Sequence, residues 1–75
     1  MTILGDYCRK VRDNKGLIHM VALGELRSYL KYSSESEVIK QIENIQDMTL
    51  LRALLEAGLR PRLLDAVTKK ADELL

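Results

Sequence analysis

The sequence predicts an all-α fold, a single domain of four or five short helices. Three observations predict it. Apolar residues recur at spacings of three and four along most of the chain, and strict alternation is almost absent. Gly16, Gly58 and Pro61 stand where helices would be punctuated rather than where hairpins would turn. The chain has 75 residues, 47% of them hydrophobic and 31% charged, enough apolar material for one folded domain and too little length for two. A domain this short buries a modest fraction of its surface, so its core lies near the lower limit for independent stability.

The elements follow in order. Leu4, Tyr7, Cys8 and Val11 share one face of a helix expected from about Thr2 to Asp13, with Thr2 as N-cap and Asn14-Lys15-Gly16 as the stop. Gly5 weakens that helix. A second helix is expected to begin near Met20 or Val21 and to end near Tyr32, with Leu23, Leu26, Tyr29 and Leu30 as its stripe. Gly24 inside it costs roughly 1 kcal/mol relative to alanine, which a tight helix crossing would offset. Ser33–Glu37 is a break, and Ser34 followed by Glu37 has the form of a capping box for a third helix presenting Val38, Ile39, Ile42 and Ile45. Its acidic start suits the positive end of the helix dipole. Asp47 caps a fourth helix carrying Leu50, Leu51, Leu54 and Leu55, which Gly58 closes. Pro61 opens a fifth helix, where its missing N–H costs nothing, with Leu63, Leu64, Val67, Ala71 and Leu74 on one face.

The chain also resembles itself. An offset of 25 residues lays Glu25–Thr49 over Leu50–Leu74 without a gap. Leu26, Arg27, Leu30 and Asp47 meet the identical Leu51, Arg52, Leu55 and Asp72, and Tyr29, Val38, Ile39 and Ile42 meet apolar residues. The run Ile42-x-x-Ile45-x-Asp47-x-x-Leu50-Leu51, followed by Leu63-x-x-Ala66-Val67 and Asp72-x-Leu74-Leu75, resembles short all-helical HEAT-like repeats, also called variant leucine-rich repeats, over residues 25–75. That resemblance implies stacked helix pairs serving as a scaffold or binding surface. The expected organisation is an N-terminal helix (1–16), a first helix pair (17–47) and a second (48–75). Two units are fewer than solenoids usually stack, and the apolar Leu74 and Leu75 close the sequence without a polar cap.

The residues exclude most chemistry. Cys8 and His19 are the only nucleophile and base of the usual kind, and Cys8 falls on an apolar stripe, as a small core residue would. One Cys and one His do not make a structural zinc site, Glu35, Glu37 and Glu43 lack a calcium-loop spacing, and no glycine-rich phosphate loop occurs. No enzyme activity, metal or cofactor is expected. The lone cysteine suits a reducing compartment. The N-terminus lacks the form of a signal peptide, and no uncharged apolar run approaches the roughly 18 residues of a membrane span. The expectation is a soluble protein of the cytoplasm.

Two binding functions remain. The first is a protein-interaction or adaptor module, self-associating as a homodimer or binding a protein partner through an uncovered C-terminal end: Leu59, Leu63, Leu74 and Leu75, with Arg60 and Arg62 at the rim. The alternative is a nucleic-acid-binding regulator. Residues 22–42 resemble a helix-turn-helix, with Leu26, Leu30, Ser33, Val38 and Ile42 near its apolar and turn positions. Its cations would be Arg9, Lys10, Arg12 and Lys15. Electrostatics oppose the usual docking, because Ser34–Asp47 holds Lys40 against Glu35, Glu37, Glu43 and Asp47, and a recognition helix must approach phosphates. The net charge of +1 adds no strong attraction.

Overall fold

The computed structural model describes residues 3–75 and contains five helices and no strand among them: α1 (Ile3–Asp13), α2 (Gly16–Tyr32), α3 (Glu35–Glu43), α4 (Met48–Ala57) and α5 (Pro61–Leu74). The all-α class is therefore observed, at the upper helix count. Thr2, the expected cap of α1, lies outside the described residues.

Helix α4 is the centre of the packing. Half of its ten residues are buried (Leu50, Leu51, Ala53, Leu54 and Ala57), and it contacts α1, α2 and α5. Helix α1 lies across α2 and α4 through Leu4, Cys8 and Val11, while α3 packs chiefly on α5, where Val38 and Ile42 join Leu63 and Val67 in the same core. The buried residues form one continuous cluster.

The breaks lie where local chemistry puts them. Ser34 Oγ accepts from the Glu37 N–H (3.3 Å), starting α3. Asp47 Oδ1 accepts from the N–H and the hydroxyl of Thr49 (2.9 and 2.6 Å), starting α4. Gly58, at φ +84°, ends α4 in the region that favours glycine, and Pro61 opens α5. Two caps come from distant helices. Arg27 Nε on α2 donates to the Ala57 carbonyl at the end of α4 (2.9 Å). Gln41 on α3 accepts from the Leu4 N–H in the first turn of α1 (2.8 Å). Both satisfy backbone groups that a helix leaves unpaired at its ends.

Three expectations need correction. Helix α2 begins at Gly16, four residues before Met20, so His19 is helical rather than in a loop. The start lacked a signal because Lys15, its N-cap, makes no side-chain capping bond, and the first turn holds no acidic residue. Second, no tight crossing inside the chain accounts for Gly24, since a Cβ there would meet nothing within 4 Å. Third, α3 ends at Glu43, so Ile45, although buried, lies in the turn before α4 rather than on the helix. The consecutive helices α4 and α5 pack together more closely than α2 and α3. Positions 25 residues apart are nevertheless alike in burial at Leu26 and Leu51, Val38 and Leu63, and Ile42 and Val67.

Candidate docking surface

The most unusual surface is the first half of α2. From Gly16 to Gly24 the chain carries no Asp, Glu, Lys or Arg. An amphipathic helix needs apolar residues on one face only, and here that inner face is supplied by Ala22 and Leu26. The remaining apolar side chains have nowhere to go but outward: Leu17, Ile18, Met20 and Val21 are 79%, 60%, 68% and 57% exposed. Together they present on the order of 400 Å², within the range of about 300–600 Å² typical of the largest patch on a monomer.

The helix that carries this surface is firmly anchored. His19 Nδ1 lies 3.0 Å from the Val11 carbonyl and 3.2 Å from that of Asn14, tying the first turn of α2 to the end of α1. Its Nε2 lies 3.2 Å from Glu56 on α4. Lys10 on α1 pairs with Glu25 (3.2 Å), and Tyr7 packs on Tyr29 with ring centroids 5.0 Å apart. Beside the apolar face, α1, α2 and α4 leave an open cleft of about 490 Å³, lined among others by Lys15, His19, Arg52 and Glu56.

The C-terminal surface expected from the sequence is not one patch. Leu63 is buried in the core, and Leu59 and Leu74 are half-buried against it. Leu59, Arg60 and Arg62 belong to the start of α5 and Leu74 and Leu75 to its end, about 20 Å apart at 1.5 Å per residue. Arg60 and Arg62 converge on Glu35, at 3.7 and 3.6 Å, and Arg60 also donates to the Lys31 carbonyl. Of the four leucines only Leu75 is fully exposed. The periodicity of α5 marked Leu63 as apolar, which is equally what a core position requires.

The N-terminal cations are mostly engaged. Arg9 pairs with Asp6 (3.3 Å) and Lys10 with Glu25. Arg12 bridges Asp13 (2.7 Å) and Asp47 (2.8 Å), latching the end of α1 to the start of α4. The Thr49 hydroxyl and N–H, together with Arg12, hold the Asp47 carboxyl below its usual range. Lys15 lines the cleft. These pairings neutralise much of the field that a phosphate backbone would meet.

Cys8 is fully buried, and burial pushes its thiol up to about 12. Thiol reagents are therefore expected to label it slowly in the native protein, at a rate limited by opening of the structure, and rapidly in guanidinium chloride. Labelling of the native protein at the free-thiol rate would show that the packing of α1 on α2 and α4 does not cover Cys8. No group of three His, Cys, Asp or Glu among the described residues could hold a metal ion, and no described helix is long and apolar enough to cross a membrane. No protein-family model, curated protein or solved structure matches this chain.

Proposed function

We propose that this chain is a small helical protein-interaction module that docks through the outward face of α2. One observation carries the reading: Leu17, Ile18, Met20 and Val21 lie exposed on adjacent turns of a helix that is pinned to α1 and α4. A pinned helix offers its side chains in place, so little further ordering opposes binding. Scattered exposed leucines need no explanation, but a contiguous uncharged face marks an interaction surface. The scaffold role implied by the HEAT-like resemblance is compatible with this surface, although the face used is on α2 rather than at the C-terminal end.

The test compares the wild-type chain with the double variant Leu17→Glu, Met20→Glu. Both side chains point to water, so far-UV circular dichroism and the melting temperature should change little. Wild type is expected to form a stoichiometric complex, with itself or with another protein reconstituted from purified components, that the variant does not form. A complex formed equally well by the variant would remove α2 as the docking face.

A further inference from the structure

We infer that the occupant of the α2 face is a second copy of this chain, docked α2 against α2 in an antiparallel two-fold pair that crosses between Val21 and Gly24. The inference rests on reading α2 as the docking face.

Gly24 is the first reason. A glycine in mid-helix weakens the helix, and it is tolerated where another backbone must come close. Inside this chain nothing does: Gly24 is exposed, and a Cβ there would meet no atom within 4 Å. The close approach that this glycine permits is open only to a helix from outside.

The spacing is the second. Leu17, Val21, Gly24 and Ser28 are all exposed and recur at intervals of four, three and four, the seam along which two helices mesh. In an antiparallel pair centred between Val21 and Gly24, Val21 of one copy lies over Gly24 of the other, and Leu17 over Ser28. Large side chains then face small ones at every level. A parallel pair would set Leu17 on Leu17 and Val21 on Val21, with gaps at Gly24 and Ser28. It would also bring together the positive ends of both α2 dipoles, each beside its own Lys15.

Charge is the third. A partner of different sequence is selected and registered largely by charges. The run Gly16–Gly24 has none to read and none to repel an identical copy, and along the rest of the seam Glu25 is paired with Lys10 and Arg27 donates to the Ala57 carbonyl. An isologous contact needs only self-complementarity, which the large-to-small pairing supplies. The area is modest. Two such faces sum to about 800 Å², below the roughly 1,200–2,000 Å² buried in stable complexes, so a weak, reversible dimer is expected rather than an obligate one.

Sedimentation equilibrium from micromolar to millimolar protein tests this. Wild type is expected to show a reversible monomer–dimer equilibrium. Val21→Glu and Gly24→Leu should each weaken it by at least about tenfold without loss of helical content. Gly24→Ala should raise the melting temperature of the dilute monomer, showing that the chain itself does not need the glycine. Direction is read by disulfide trapping. A mixture of Leu17→Cys and Ser28→Cys proteins should cross-link to each other faster than either does to itself, with the buried Cys8 silent. A wild type that stays monomeric at millimolar concentration overturns the second copy as occupant, while the α2 docking face then stands or falls on reconstitution with another protein. Dimers unaffected by Val21→Glu overturn the pairing of α2 with α2, and the α2 docking face is again decided by reconstitution with another protein. Preferential self-cross-linking of Leu17→Cys overturns the antiparallel arrangement.

Discussion

Leu54→Ala is expected to remove about half of the stability of this domain, whereas Leu55→Ala, one residue later, is expected to leave it nearly unchanged. Leu54 is fully buried in α4, and Leu55 is half exposed. A buried leucine cut to alanine costs about 2–5 kcal/mol, because the transfer energy of the lost atoms adds to the cavity left behind. A domain of this length has roughly 4–11 kcal/mol in total, at about 0.05–0.15 kcal/mol per residue. Because α4 touches α1, α2 and α5, the surrounding structure has little freedom to collapse into the void. Urea unfolding followed by circular dichroism should show a large fall in midpoint for Leu54→Ala and a shift of less than about 0.5 kcal/mol for Leu55→Ala. Equal effects would mean that α4 is not the central helix.

The second large effect belongs to Gln41, the one buried polar side chain among the described residues. Its Oε1 accepts from the Leu4 N–H (2.8 Å), and its Nε2 donates to the Tyr29 hydroxyl (2.7 Å). One side chain on α3 thus ties the first turn of α1 to α2. Replacing it with leucine adds apolar surface but strands the buried Leu4 N–H, at a cost of about 1–3 kcal/mol. The Tyr29 hydroxyl is only half-buried and can turn to water. Gln41→Leu is therefore expected to destabilise by about 2 kcal/mol, with hydrogen exchange accelerating first at the start of α1. A neutral or stabilising result, with α1 protected as before, would show that the amide of Gln41 does not hold the two helices together.

These residues also show what could be read in advance. Leu54 was legible, since Leu50, Leu51, Leu54 and Leu55 follow the helical period between Asp47 and Gly58. Which of the four stays wet was not, because periodicity places a stripe without fixing its edges. Gln41 was invisible. A glutamine beside an apolar stripe looks like a solvated position until folding brings Leu4 and Tyr29 to it. The docking face had one signal, an uncharged stretch from Gly16 to Gly24 with more apolar residues than a single inner face can take up. Without a side-chain cap at Lys15, residues 16–19 read as a loop, and that hides the face.

The sequence by itself determined the all-α class, the stops after Asp13, Tyr32 and Ala57, and the starts of α3, α4 and α5. Those depend on Asn14, Gly16, Ser34, Asp47, Gly58 and Pro61, whose effects reach three or four residues along the backbone and need no distant partner. Only the tertiary structure decided that Leu63 is core while Leu17, Ile18, Met20 and Val21 are surface. All of these are apolar residues on helices, and a hydrophobic side chain carries no mark of which neighbour will cover it. That choice is made when α1 and α4 close over one side of α2 and leave the other side bare.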